Sequence, residues 1–312
     1  NSSAASDVYK RQLVNLETTL RIDGFPIAYS PNEFCFDGVG SDVGGVGYNV
    51  ARALHTLGHE VRFLAMAGRD EPGLLIRERL RREEIGDDFV VEVPATPQSV
   101  ILYEPGGRRQ SNTDLKDIQR RRYPDDAFAA ALDGAALAVI CNVNFMREHL
   151  AAASAAGIPI ATDVHTIPAL EHPYEVDFLE AGDILFMSDE RLPRPAAEWL
   201  PGFMERYSPR VAVVGMGERG ALLAERDRPG TTLVPAVRTR KPAGTIGAGD
   251  ALFAAFIHGV LDGRRPQEAL ERAAVFASYK IGSRAASRGF LTAAQLDEWV
   301  ERVAGNANRR RS

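Results

Sequence analysis

The sequence is short of several features that mark large classes of protein. Its only two cysteines, Cys35 and Cys141, are far apart and form no CxxC pair, which argues against a disulfide framework or a cysteine metal site. No apolar run approaches the ~20 residues that a membrane helix requires. Cations are not in excess, since 37 Lys and Arg face 42 Asp and Glu, giving a net charge of −5. A surface that binds nucleic acid is therefore not expected.

Two nucleotide-binding signatures are also missing. The pattern GxxxxGK[ST] does not occur, which excludes a P-loop kinase. The stretch GGVGYNVARAL looks superficially like a dinucleotide-binding loop, but its pattern is GGxGxN and it follows irregular GVGSDV instead of a strand. Its glycines, Gly44, Gly45 and Gly47, suit a close backbone approach to a polar ligand, with the Asn49 amide as donor and acceptor. A tight turn with an asparagine cap is the alternative.

The composition that remains is typical of a soluble globular protein. Of the 312 residues, 45% are hydrophobic and 25% are charged, which is enough to bury a substantial core. Residues 1–12 lack a starting Met, an apolar segment and any periodicity, so we predict a leader unrelated to the fold and no signal peptide. We predict a single domain over residues 13–304, a polar tail over residues 305–312 and a location in the cytoplasm.

Strand-like and helix-like patterns alternate from about residue 44 onward. Short apolar strands such as IPIAT, DILFM and RVAVVG are separated by amphipathic helices, and strong helical patterns follow near the end of the chain. This alternation predicts an α/β fold with a largely parallel sheet that is covered on both faces. Alternating segments within about residues 13–43 and 89–114 break the rhythm, and they predict a small second sheet that forms a lid.

Polar residues and glycines follow several of the predicted strands. Asp163 and His165 come after IPIAT, Glu190 follows DILFM, and a turn containing Gly217 and Gly220 follows RVAVV. Open α/β sheets bind ligands at the carboxyl ends of their strands. Carboxylates and glycines gathered at that edge are what a polyphosphate and its metal ion require. His165 by itself is also compatible with a structural, hydrogen-bonded role.

The segment GTIGAGDALFAAF carries the most specific chemistry. Gly247, Ala248 and Gly249 are small enough to expose backbone amides, and they open a helix whose N-terminus favours an anion. Asp250 follows in the first helical turn. A carboxylate beside such amides suits phosphoryl transfer, because it accepts a hydroxyl proton while the amides stabilise the transferring group. A helix-capping aspartate after a glycine turn is the alternative.

Taken together, the two glycine segments resemble the paired signatures of the ribokinase-like (PfkB) carbohydrate kinases. GGVGYNVARALHTLGHEVRFLAMAGRDEPG is similar to the N-terminal signature, and GTIGAGDALFAAFIHGVL is similar to the C-terminal one, in the same order. The similarity extends over residues 13–304. It implies a three-layer α/β/α fold with a mostly parallel central sheet and a β-sheet lid. It also implies an ATP- and Mg²⁺-dependent phosphotransferase that acts on an alcohol group.

The resemblance assigns roles to individual residues. Asp250 matches the catalytic base, and the amides of Gly247, Ala248 and Gly249 match the anion hole. Substrate would be held by Gly44, Gly45 and Asn49, and nucleotide by Gly217, Gly220 and Thr245. Magnesium would be held through water by Glu190 and Asp163. Two positions depart from the family pattern: Met187 replaces the asparagine of the NxxE motif, and Gly244 replaces an aspartate that supports K⁺ binding in relatives, which predicts little response to K⁺.

Substrate identity depends mainly on the lid and the first strand. The polar candidates there are Asn15, Asp23, Arg109 and Asn112, with Glu17 as a further possibility. This set suits the hydroxyls of a sugar. An adenosine- or pseudouridine-like nucleoside kinase, or a non-catalytic ligand-binding relative of the same fold, are the alternatives. The resemblance also implies a homodimer that forms through the lid, since an isolated small sheet leaves exposed edges.

Overall fold

A computed structural model describes residues 14–106, 108–283 and 285–309. The predicted leader, residues 1–12, lies outside the described residues, as do residues 310–312 of the predicted tail. Helix α10 (Ala293–Arg309) continues through residues 305–309, which the sequence analysis assigned to the tail. Within the described part of the chain, no helix combines the length and the apolar composition needed to cross a bilayer.

The central sheet has six strands and confirms the predicted α/β class. The order of the strands across the sheet is β12-β11-β10-β9-β8-β7. The four strands β7 to β10 are parallel to one another, and β11 and β12 extend the sheet as antiparallel strands. These strands are β7 (Ala138–Val139), β8 (Ile160–Thr166), β9 (Ile184–Ser188), β10 (Val211–Gly215), β11 (Ala221–Glu225) and β12 (Arg228–Val234). The connection between β10 and β11 is too short for a parallel crossover, so the two strands form a hairpin.

Helices cover both faces of this sheet. The remaining helices are α1 (Val46–Thr56), α2 (Glu71–Arg82), α3 (Asp125–Leu132), α4 (Asn144–Arg147), α5 (Leu150–Ala155), α6 (Val176–Ala181), α7 (Ala196–Tyr207), α8 (Ala248–Leu261) and α9 (Pro266–Lys280). Alternate residues of β9 enter different cores: Ile184 and Phe186 pack with α1, α8 and α9, whereas Leu185 and Met187 pack with α3, α5, α6 and α7. This alternation produces the three-layer arrangement.

The lid is a separate four-stranded sheet with the order β2-β1-β5-β6. Its strands are β1 (Asn15–Arg21), β2 (Val39–Gly44), β5 (Gln98–Tyr103) and β6 (Arg109–Asp114). β1 is parallel to β5, and the outer pairs are antiparallel. Two further short strands, β3 (Ala65–Ala67) and β4 (Val90–Glu92), pair only with each other. Residues 90–92, which the sequence analysis included in the lid range, therefore lie outside the lid sheet.

Two helices carry the predicted site residues to one place. α1 begins after Gly45, whose φ is 98°, and α8 begins after Gly247, whose φ is 77°. Both values lie in the left-handed region, where glycine carries no steric penalty. The two helices pack against each other within one core. Their N-termini therefore lie side by side, beneath the lid strand β2 that leads into α1.

Candidate active site

The α8 turn has a conformation that its sequence requires. A Cβ added at Gly247 would lie 2.6 Å from the Ala286 carbonyl oxygen, so both the φ value and the available space demand glycine. The backbone amides of a first helical turn have no partner within the helix. In this turn the Ala248 amide donates to the Thr245 carbonyl, which lies just before the helix. Gly249 is exposed and has open space where a side chain would stand. The turn is therefore shaped to present amides to an anion.

Asp250 is the third residue of α8 and is only 4% exposed. Its Oδ2 accepts a hydrogen bond of 2.7 Å from Nδ2 of Asn49 on α1. The Asn49 amide therefore holds the Asp250 carboxylate directly and sets its orientation. Oδ1 of Asn49 is buried and makes no hydrogen bond, which leaves an acceptor available beside the carboxylate. The two residues that the sequence placed in different motifs thus form one polar pair.

The lid adds a second group of polar atoms next to this pair. Nδ2 of Asn15 donates to Ser99 Oγ, while its Oδ1 is buried without a hydrogen bond. The Gly45 amide donates to Oε1 of Glu17 over 3.2 Å. A Cβ at Gly44 would lie 2.3 Å from the Glu17 carboxyl carbon, so Gly44 makes the room that the Glu17 side chain occupies. Asn15, Glu17, Gly44, Gly45 and Asn49 therefore surround one region of the structure.

Glu17 has an unusual titration. Burial, together with the nearby Asp250 carboxylate, raises the pKa of Glu17 to about 7, although the hydrogen bond from the Gly45 amide opposes the shift. A carboxyl group with this pKa changes charge near neutral pH. At the pH at which most enzymes work, it can therefore accept a hydrogen bond from a hydroxyl group when ionised or donate one when protonated.

The remaining lid residues separate into two faces. Side chains alternate along a strand, so Arg109 lies on the face that carries Asn15 and Glu17, whereas Asn112 lies on the other face. Nδ2 of Asn112 donates to the Val100 carbonyl over 3.4 Å on that outer side. Asp23 is exposed in the loop that follows β1. The structure therefore brings Arg109 toward the site and places Asn112 on the outer face of the lid.

Lys280, at the end of α9, is a site residue that the sequence patterns did not predict. This lysine is fully buried, and its Nζ donates to the carbonyl of Ile246, the residue before the α8 turn. Burial lowers the pKa of Lys280 to about 8, although the Asp250 carboxylate opposes that shift. A charged side chain at the end of the otherwise apolar stretch AAVFASYKIG was the signal in the sequence. Its position behind the turn adds positive charge where an anion would bind.

The predicted nucleotide residues stand at the edge of the central sheet. Gly217 begins a 3-10 turn that follows β10, and Gly220 comes directly after that turn. A Cβ at Gly220 would lie 2.1 Å from the Val234 carbonyl oxygen. This turn is linked to the neighbouring one after β9 by an ion pair between Arg219 and Asp189. Thr245 is exposed in the loop before α8, and its carbonyl accepts the Ala248 amide over 3.2 Å.

Groups able to hold a metal ion lie at the end of β8. Ligand atoms of Asp163, His165 and Asp250 all lie within 4.8 Å of one another. Glu190 is exposed in the turn after the adjacent strand β9, so it stands at the same sheet edge. Met187 is buried in the core and offers nothing to an ion there. Carboxylates at this edge fit a magnesium ion, which prefers one or two protein carboxylates together with water and phosphate.

Known proteins resemble this chain in sequence and in fold. The family model described as pfkB family carbohydrate kinase matches residues 36–293. An acarbose 7(IV)-phosphotransferase of Actinoplanes sp. is 27% identical over 255 residues, which cover 81% of this chain and 85% of that protein. The microbiome-derived acarbose kinase Mak1 superposes with a TM-score of 0.83 at 23% identity, covering 92% and 96% of the two chains. A Burkholderia thailandensis nucleoside kinase in complex with inosine superposes with a TM-score of 0.77 at 19% identity, covering 94% and 97%.

Proposed function

The chain belongs to the pfkB family of carbohydrate kinases, and from that premise we propose that it transfers the γ-phosphate of ATP to a hydroxyl group of a sugar. One observation carries the proposal. The buried Asp250 carboxylate follows a left-handed glycine at the start of α8 and is held by Asn49. A base and a set of outward-pointing amides therefore share one helix end, as phosphoryl transfer requires.

In this mechanism, each part of the α8 turn has its own task. Asp250 accepts the proton of the attacking hydroxyl as the new oxygen–phosphorus bond forms. The amides of Gly247, Ala248 and Gly249 stabilise the negative charge on the transferring phosphoryl group. Lys280 holds the Ile246 carbonyl and so fixes the start of the turn. ADP leaves with the electron pair of the broken phosphorus–oxygen bond.

Unsatisfied acceptors support a polyhydroxy substrate. Oδ1 of Asn15 and Oδ1 of Asn49 are buried and have no hydrogen bond. Buried polar groups in folded proteins are nearly always satisfied, so each unsatisfied one calls for an explanation. Sugar hydroxyls are donors that would satisfy both atoms, and Glu17 and Arg109 extend the same polar surface. The names of two relatives, an acarbose phosphotransferase and an acarbose kinase, support a sugar-like substrate.

ATP and Mg²⁺ are the cofactors that we propose. Gly217, Gly220 and Thr245 would approach the nucleotide, and Glu190 and Asp163 would hold the magnesium ion through water. When bound, Mg²⁺ neutralises phosphate charge during the transfer. Location in the cytoplasm stays a prediction.

A homodimer through the lid is also part of the proposal. The outer face of the lid exposes Val39 and Val100, and exposed apolar residues on a sheet with open edges favour a partner sheet. We expect light scattering to give a mass of twice 34.0 kDa. A monomer with full activity over a wide range of concentrations would contradict this arrangement.

The deciding experiment is an ATP-consumption assay over a panel of acceptors, with Asp250→Asn as the inactive control. The panel contains monosaccharides, oligosaccharides and nucleosides, because a nucleoside kinase would use the same base and amides. We expect turnover with one or more sugars and none above background in the control. Turnover with nucleosides alone would show that the substrate is a nucleoside and not a sugar. No turnover with any acceptor, despite ATP binding, would contradict the proposed function.

A further inference from the structure

His165 has a backbone conformation that few residues of its type adopt. Its φ is 60°, in the left-handed region, within a break in the pairing of β8 with β9 between Asp163 and Thr166. This conformation costs on the order of 1 kcal/mol for a side chain with a Cβ. Strain of this kind persists where the surrounding structure requires it, and it is often found at ligand sites. The break turns the imidazole toward the same edge as the Asp250 carboxylate.

The His165 side chain is arranged as part of a pair with Asp163. The His165 amide donates to Oδ1 of Asp163 over 2.8 Å, which fixes the carboxylate. Oδ2 of Asp163 then lies 3.6 Å from Nε2 of His165. That distance is too long for a hydrogen bond. It is close to the separation of two ligands that each lie about 2.1 Å from one ion.

The imidazole lacks the contact that would explain it as a structural histidine. Nε2 of His165 is buried and has no hydrogen bond among the described residues. His149 shows the structural alternative in the same molecule, because its Nε2 lies 2.8 Å from the Tyr123 carbonyl oxygen within the core. A buried imidazole nitrogen without a hydrogen bond, beside a fixed carboxylate, is an arrangement that a bound metal ion would complete.

We propose that Asp163 and His165 bind a first-row divalent cation directly, in preference to Mg²⁺, at the edge of the site that contains Asp250. The inference rests on the proposed function, since it places the ion where ATP would bring its phosphates. An imidazole nitrogen suits first-row transition cations better than Mg²⁺, which prefers oxygen ligands. Asp250 keeps its hydrogen bond from Asn49 and stays outside the first coordination sphere, so it is available as the base.

Two protein ligands leave most positions on the ion for water and phosphate. We therefore expect the ion to bind the nucleotide-free protein weakly but measurably. The side chain of Met187 is a thioether without an oxygen, and it is buried in the core. His165 therefore supplies the ligand that β9 lacks. Glu190, on the adjacent turn, lies further out and would contact the ion through water.

Mn²⁺ binding to the nucleotide-free protein, followed by electron paramagnetic resonance of the free ion, tests the inference without any turnover. His165→Gly removes the imidazole and also fits the left-handed conformation, so the fold should be retained or stabilised. We expect this variant to weaken Mn²⁺ binding by at least ~10-fold. The affinity for Mg²⁺, measured by its competition with Mn²⁺, should differ by less than about twofold between wild type and His165→Gly. His165→Asn, which tolerates the same backbone and offers an oxygen, should narrow the preference for Mn²⁺ over Mg²⁺.

The chain offers matched controls. His55→Ala removes a partly buried histidine from the last turn of α1 and should leave the Mn²⁺ curve unchanged. A second group, His59, His258 and Asp262, also has three ligand atoms within 4.8 Å of one another. His258→Gln should not change the curve either. If His258→Gln removes Mn²⁺ binding, or if His165→Gly and wild type share one curve, the inference is overturned. These results do not depend on phosphotransfer, so failure of the inference and failure of the proposed function are distinguishable.

Discussion

Helices α1 and α8 share a polar cluster at each end, and the two clusters differ in how completely they are hydrogen-bonded. At the N-terminal end, Asn49 donates to Asp250 but keeps a buried acceptor without a hydrogen bond. At the C-terminal end, His59 Nε2 lies 2.9 Å from His258 Nδ1, and His258 Nε2 lies 3.4 Å from Asp262. One tautomer of each imidazole allows the hydrogen bond between His59 and His258, with Nε2 of His258 facing Asp262. Under the proposed function, the end that keeps a buried acceptor without a hydrogen bond is the end that binds the ligand, and the other end stabilises the packing.

The Asn49–Asp250 pair gives the largest expected effect. Asp250→Asn should lower kcat by at least ~10² while the fold and ATP binding remain, because the general base is lost. Asn49→Ala should also lower kcat, because the carboxylate loses its orientation. The double variant should be no worse than Asp250→Asn alone, since residues that act as one unit are not additive. Steady-state kinetics of the three variants measure these losses. Additive losses would show that Asn49 does not act through Asp250.

Glu17 gives the next effect, on both activity and stability. Glu17→Gln should reduce kcat/KM for the sugar by about 10-fold, as expected for loss of a hydrogen bond to a charged group. The pKa of about 7 in the folded state exceeds the ordinary value of 4.5, so the folded protein binds more protons between these pH values and loses stability as pH rises. Thermal unfolding should therefore show the variant gaining stability over wild type at pH 8 but not at pH 4.5. An identical difference at both pH values would exclude a shifted pKa.

Glu190 tests the outer part of the same end of the molecule. Glu190→Gln should raise the Mg²⁺ concentration needed for half-maximal activity by about 10-fold and lower kcat, because an outer-shell carboxylate is lost. Sugar binding in the absence of nucleotide should not change. Phosphorylation assays against Mg²⁺, with calorimetry of sugar binding, measure the two effects. If wild type and the variant have the same dependence of activity on Mg²⁺, Glu190 is not part of the metal site.

The C-terminal cluster gives the smallest effect. Burial lowers the pKa of both His59 and His258, so the folded state keeps them neutral below the ordinary value of 6.5. The unfolded chain then binds more protons, and stability is lost as pH falls through about 6.5 toward the lower folded values. We expect His59→Gln/His258→Gln to show a shallower fall of Tm between pH 7.5 and 5.5, with kcat at pH 7.5 within about twofold of wild type. A large loss of kcat would contradict the assignment of the C-terminal cluster to stability alone.

Local patterns in the sequence determined much of this protein. The apolar strands β8, β9 and β10, the helices α1, α8 and α9, and the glycine turn before Asp250 follow from periodicity and from glycine's conformational freedom, which are properties of a few neighbouring residues. The three-layer class follows from the alternation of those elements. The same patterns placed Asp250 and Asn49 at helix starts, and the family resemblance gave them their roles.

Tertiary structure decided what depends on residues far apart in the chain. Pairing made β11 antiparallel, limited β3 to three residues and placed Asn112 on the outer face of the lid. The bond between Asn49 and Asp250 joins residues 201 positions apart, and the pKa of Glu17 depends on burial beside that pair. The proposed roles of Lys280 and of the Asp163–His165 pair likewise depend on contacts with residues of other elements. Hydrogen bonds and desolvation act through space, so a linear pattern could name these residues but not their environment.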